Sequence, residues 1–297
     1  MGFFRRTEHA LPAALLLAAW LVGCAGPYGP SPSAHRVPMA VLGDSDSHAY
    51  QDRITFPDGG AERGGQHRAS TLQWTEILAR LRADEIDPGS WGEWGLRGRW
   101  ATSLGWLGVD RRSPRKQDHE FNYAWSGARC ADLVEGTGRQ APRLAALVAV
   151  QPEAWRTGVV VVRIGINDLG TGEALRAFAR EGGSDANRRR VDACLASIDL
   201  ALRQLADVQP ELRILLVGVL ANVDWPRRGG QYTDPVERQR IAAMLDRFDA
   251  GLRVIAAASP NRAFFDDRAF YRGLVGARAA DGRPAYRAIP VRDGSGA

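Results

Sequence analysis

The stretch Val159-Val160-Val161-Val162-Arg163-Ile164-Gly165-Ile166-Asn167-Asp168 decides the fold. Its first half is β-branched and almost continuously apolar, the pattern of a strand buried on both faces in a parallel sheet. Gly165 closes the run and two polar residues follow. Similar runs lie on either side: Met39-Ala40-Val41-Leu42, broken at Gly43, and Arg213-Ile214-Leu215-Leu216-Val217-Gly218-Val219. Glu120 to Ala124 and Ala263 to Phe265 are weaker strand candidates. Helical periods fall between them. Ile77, Leu78 and Leu81 share one face, and Val191, Leu195, Ile198, Leu202 and Leu205 form a stripe. Asp234-Pro235-Val236-Glu237 reads as a helix start, with a cap, a proline at the first position and a reaching glutamate. The helix it opens carries Ile241, Met244, Leu245, Phe248, Leu252 and Ile255 on one side. Strands alternating with helices predict a three-layer α/β domain around one core.

The chain has 297 residues, 45% of them hydrophobic, which is enough for one sizeable core. Its net charge of +5 raises the question of nucleic acid. The basic residues are scattered among 34 acids, with only short clusters such as Arg188-Arg189-Arg190, and no nucleic-acid motif accompanies them. A solvated basic surface is expected, with no nucleic-acid partner. Lys116 is the only lysine; every other basic residue of the 39 is arginine.

The N-terminus reads as a targeting segment. Arg5 and Arg6 precede an apolar run from Leu11 to Val22, too short to cross a bilayer comfortably. It closes on Leu21-Val22-Gly23-Cys24, which is similar to the lipobox of bacterial lipoproteins. That resemblance implies a signal peptide over 1–23 and a diacylglyceryl group on Cys24, which becomes the new N-terminus. Ala25 behind the cysteine implies the outer membrane, facing the periplasm. A plain signal peptide with an incidental cysteine is the alternative. Residues 24–37, rich in Pro, Gly and Ser, read as a tether. Export leaves Cys130 and Cys194 in an oxidising compartment, where a disulfide and two separate buried thiols both stay open.

In open parallel sheets, ligands sit beyond the carboxyl ends of the strands. Gly43-Asp44-Ser45 follows the first strand. Asn122-Tyr123-Ala124-Trp125-Ser126-Gly127-Ala128 ends the second, and Gly165-Ile166-Asn167-Asp168 the third. In this order they resemble blocks I to III of the SGNH (GDSL-like) serine hydrolases, over roughly residues 39 to 170. The resemblance implies a flavodoxin-like three-layer α/β/α sandwich with a mainly parallel sheet. It makes Ser45 the nucleophile of an acyl-ester hydrolase and completes an oxyanion hole with Gly127 and Asn167. It implies neither a metal nor an organic cofactor. A serine at a strand-to-helix turn is exposed, a glycine N–H is unobstructed, and an asparagine supplies an amide donor. Fixed donors of this kind usually contribute more than any other single effect to the acceleration of acyl transfer. Each residue also has a simpler reading: Ser45 as a helix cap, Gly127 as a packing glycine, Asn167-Asp168 as a turn. Gly-x-Ser-x-Gly, a Walker loop and His-Glu-x-x-His are absent. Asp44-Ser45-Asp46-Ser47-His48 lacks the glycine and glutamate of a calcium hand.

The resemblance breaks at the general base, which the family places on a histidine near the C-terminus, shortly after an aspartate. The histidines here are His9, His35, His48, His67 and His119, none beyond the third block. Asp293-Gly294 resembles the opening of that block, with Gly296 in the histidine's place. The hydrolase domain is therefore expected over 38–297, truncated at its C-terminus. His48 would approach Ser45 from the nucleophile's own helix, His119 should fall at the wrong end of its strand, and Asp266-Asp267 fits no triad. Three readings stay open: an envelope-anchored serine ester hydrolase lacking its base block, a catalytically silent domain binding acylated glycan or lipid, and a structural lipoprotein. The irregular stretch from Asp84 to His119 holds Trp91, Trp94, Trp100 and Trp106. These either line a cleft or, more simply, pack over the sheet edge.

Overall fold

The computed structural model describes residues 36–60, 63, 65–107, 111–220, 223 and 231–275. The signal segment, Cys24, the tether and the 293–297 block lie outside them.

β1 (Val37–Gly43), β5 (Val159–Arg163), β6 (Arg213–Val217) and β7 (Arg262–Phe265) form a parallel sheet that the short β2 (Ile86–Asp87) extends beyond β1. The order is β2-β1-β5-β6-β7. With the intervening hairpin of β3 (Trp91–Trp94) and β4 (Lys116–His119) set aside, this is the flavodoxin order. Side chains alternate along each strand. Ala40, Leu42, Val160, Val162, Ile214 and Leu216 enter the large core, while Met39, Val41, Val161 and Val217 enter a smaller one on the opposite face. Both cores need apolar residues at every position, which is why the runs are continuous rather than alternating.

The large core is covered by α3 (Gln140–Val150), α6 (Gly172–Glu181), α7 (Asp185–Val208) and α8 (Pro235–Ala257), among others. The stripe on α7 is buried as expected, with Leu195 packed at its margin. Asp234 caps α8 by accepting the Val236 N–H at 2.9 Å, with Pro235 at the first position. α1 (Trp74–Leu81) covers the smaller core with Trp74 and Leu78. Ile77 and Leu81, expected on the same face as Leu78, are exposed. Glu76 takes the inward place instead: its carboxylate is buried and accepts the N–H groups of Tyr50, Gln51 and Gln73.

Glu120 to Ala124 is not a full strand. It touches β1 through one bridge, Val41 to Asn122, and a few backbone bonds, including Tyr123 N–H to Val41 O at 2.8 Å. The Gln140 side chain takes the place of a backbone partner at the Gly43 N–H, accepting it at 2.7 Å, and shares the Gly43 carbonyl, donating at 2.9 Å, with the Trp125 N–H. The stretch from Asp84 to His119 is not structureless either, since it contains the β3–β4 hairpin with α2 (Gly98–Trp106) between its strands. Cys130 and Cys194 form a disulfide. It joins the short 3-10 helix Cys130–Leu133 to α7.

Candidate active site

The sheet order reverses between β1 and β5, the crevice where doubly wound sheets bind ligands. Ser45, Gly127 and Asn167 belong to three loops tied together there. Trp125 N–H reaches Gly43 O at 3.3 Å, and Ser126 N–H reaches Nδ1 of His48 at 3.0 Å. Asn167 Nδ2 donates to Ala128 O at 2.8 Å, and Gly165 N–H to the Asp44 carboxylate at 3.2 Å. A Cβ on Gly43 would stand 2.3 Å from Arg163 O, so only glycine lets β1 and β5 approach this closely.

No helix follows Ser45, contrary to expectation. The Asp44 carbonyl collects the N–H groups of Ser47 and His48 at 3.1 and 3.2 Å, and its carboxylate collects that of Asp46 at 3.0 Å. The chain closes one turn and then dives inward at His48, leaving Ser45 half-buried on the turn. Ser45 therefore caps no helix. Among the described residues its N–H donates to no protein acceptor, and neither does that of Gly127. Gly127 is exposed and has φ +91°, a conformation that glycine adopts without strain. Asn167 lies in the single-turn α5 (Ile166–Leu169) and spends one amide hydrogen on Ala128 O, which orients the other. Gly127 is exposed and Ser45 half-buried, so neither N–H needs a protein acceptor. Two backbone N–H groups and an amide held by Ala128 thus stand on loops that are tied together.

The carboxylates around Ser45 are held by the fold. Burial, and then the neighbouring Asp46, push Asp44 up to about 7. Burial also raises Asp46, against the attraction of Arg163. Arg163 donates to Asp46 O at 3.2 Å and pairs with Asp267 at 2.7 Å, which ties β5 to the start of α9 (Asp267–Val275). Asp266 pairs with Arg253 and accepts the N–H of Ala269. Both aspartates after β7 are thus engaged in the scaffold.

His48 is buried, and both its ring nitrogens are in use. Nδ1 accepts the Ser126 N–H, and Nε2 donates to the Asp52 carboxylate at 2.8 Å. Burial lowers it to about 4, despite the Asp52 bond. Burial alone would raise Asp52. Instead His48, the Thr55 contact and the N–H of Gln117 hold it well below the usual carboxylate range. The pair is a neutral imidazole on an ionised carboxylate. It orients the loop and has no lone pair free to accept a proton from Ser45. His119 lies on β4, where Nδ1 meets Gly89 O at 3.1 Å and the ring stands edge-on to Trp91.

Sequence reasoning missed the support beneath this loop. Lys116 is fully buried, donating to Asp118 at 2.7 Å and to Ala124 O. Asp118 also accepts the Ala49 N–H and the Asn122 amide, and Asn122 donates to Ser47 O at 2.8 Å. The one lysine in a chain of arginines was the available signal, since a compact ammonium fits where a planar guanidinium does not. Gln140 had no such signal.

Burial also raises Asp168, although it accepts the Cys130 N–H at 2.9 Å. It lies with the sulfurs of Cys130 and Cys194 in the one group of potential metal ligands among the described residues. The sulfurs are bonded to each other, so no thiolate pair is available. A cleft of about 540 Å³ opens beside the hairpin, lined by Trp91, His119, Gln51, Arg53, Glu76 and Arg80, among others. Ser45 does not line it.

No family model and no curated protein sequence matches the chain. Several solved structures resemble it. An extracellular lipase from Streptomyces rimosus is 17% identical, with 86% of this chain and 89% of that one covered and a TM-score of 0.39. A mutant acetyl-xylooligosaccharide esterase from Geobacillus stearmophilus is 16% identical, with 85% and 89% covered and a TM-score of 0.39. Phospholipase A1 from Streptomyces albidoflavus is 15% identical, with 85% and 92% covered and a TM-score of 0.35. At such values function must be argued from this chain's own residues.

Proposed function

We propose that this chain is an acyl-ester hydrolase in which Ser45 attacks the ester carbonyl and carries the acyl group. Its Oγ forms a bond to the carbonyl carbon, and the negative charge moves to the carbonyl oxygen. The N–H groups of Ser45 and Gly127 and the amide of Asn167 receive that charge. The Oγ–H proton passes to a base, water here or the introduced histidine of the variant below, and from it to the alkoxide that leaves as the alcohol; water then attacks the acyl group, releases the acid and returns a proton to Ser45 Oγ. The observation that carries the reading is the donor set itself, two backbone N–H groups without protein acceptors beside an oriented amide.

Proton transfer needs a base, and His48 and His119 are both engaged elsewhere. Without a histidine free to act as base, only the roughly 10³–10⁴-fold acceleration over water that binding and oxyanion donors supply alone is expected. Gly296→His would create an Asp-x-x-His block with Asp293. On p-nitrophenyl acetate this variant should gain turnover that Ser45→Ala abolishes. A gain that persists in Ser45→Ala would sink the proposal. The engagement of His48 and His119 favours a second reading, a silent domain that binds acylated glycan or lipid. An unaltered rate in Gly296→His, with saturable binding of acetylated xylooligosaccharide, would support it.

The Leu-Val-Gly-Cys ending supports envelope anchoring through a lipid on Cys24. Mass spectrometry of membrane-extracted protein should find a lipidated N-terminal Cys24; a soluble mature form beginning elsewhere would contradict it.

A further inference from the structure

α2 buries little of its surface. Only Ala101 is buried and Leu104 half-buried, while Trp100, Trp106 and Leu107 are 59%, 84% and 76% exposed. At about 100° per residue, Trp106, Arg99, Leu107 and Trp100 fall on one continuous outward arc, opposite Ala101. A soluble surface scatters exposed large apolar residues singly, whereas here three lie within eight positions.

The charge around them has one sign. No acid occurs from Trp94 to Val109, while Arg97 and Arg99 are exposed and pair with no carboxylate among the described residues. Arg99 lies 6.0 Å from the centre of the Trp100 ring, so the cation sits at the edge of the aromatic patch. Tryptophan favours the headgroup boundary of a bilayer, and arginine favours anionic headgroups beside it. A second protein copy would bring the same positive charge against this face, which is unfavourable. We propose that α2 and Leu107 dock on an anionic phospholipid surface, with Trp100, Trp106 and Leu107 inserted at headgroup depth and Arg97 and Arg99 on the phosphates. The proposal is independent of Ser45 chemistry.

Amide hydrogen exchange of the full chain tests it segment by segment, so other membrane contacts do not confuse the result. Vesicles of phosphatidylcholine with phosphatidylglycerol should slow exchange across Leu96–Leu107, and phosphatidylcholine alone should do so weakly. W100S/W106S/L107S should abolish the protection. R97Q/R99Q should weaken it about tenfold, as should high salt. Unchanged exchange with either vesicle would overturn the proposal. So would protection that appears without lipid and grows with protein concentration, because the face would then bind a second copy.

Discussion

Asn167 has one amide hydrogen committed to Ala128 O and, in the proposed reaction, offers the other to the oxyanion. It should act on the transition state rather than on substrate binding. In the Gly296→His form, Asn167→Ala is expected to lower kcat by about 10²–10³ with KM little changed. Steady-state kinetics on a soluble ester checks this, and a large rise in KM at constant kcat would contradict it. His48 makes a different prediction. It is neutral in the fold with a pKa of about 4, against an ordinary 6.5. The unfolded chain therefore takes up the proton first, and the stability due to His48 is full above pH 6.5 and is lost as pH falls toward 4. Asp44 works in the opposite sense, because its pKa is raised from 3.8 to about 7 and its burial becomes costlier as pH rises between them. Only a difference isolates His48. The gap in urea midpoint between the parent and His48→Gln should be widest above pH 6.5 and narrow toward pH 4; a constant gap would mean that His48 does not titrate this way. The loops that carry Ser45 and Asn167 were legible in the sequence because each follows a readable strand, while the Gly127 loop follows a single bridge to β1. The role of His48 was not, since local spacing carries no sign that Ser126 and Asp52 would enclose its ring.

The strands of the main sheet were readable wherever both faces are buried, because continuous apolar runs such as Val159–Val162 admit few other interpretations. Legibility failed where side chains replace backbone pairing. Gln140 replaces a backbone acceptor at the Gly43 N–H, and that partner lies 97 residues away in sequence. It failed again at α1, where a buried glutamate displaces apolar residues that share its helix. The Lys116–Asp118 pair joins β4 to the loop bearing Ser45 through Ala49, Asn122 and Ala124. Lys116→Met removes one partner and leaves a buried carboxylate, so a loss of about 3–5 kcal/mol is expected. Lys116→Met/Asp118→Leu should recover part of it. Denaturant titration of both variants decides the matter, and a single variant within about 0.5 kcal/mol of the parent would show that the pair does not hold the loop.

Across the molecule, three loops that are distant in sequence meet at the β1/β5 reversal, and the disulfide anchors one of them to α7. The class of fold could be read from the alternation of strands and helices alone. Which loops would meet depended on the sheet order, and therefore on the whole chain. Everything proposed for the site requires Ser45 to be a nucleophile facing prepared oxyanion donors. Prolonged reaction with a fluorophosphonate, followed by peptide mapping, puts that requirement to the sharpest test. One phosphonyl adduct is expected, on Ser45, forming faster in Gly296→His, slower in Asn167→Ala and not at all in Ser45→Ala. An adduct on another residue, or an unlabelled Ser45 in Gly296→His, would contradict it.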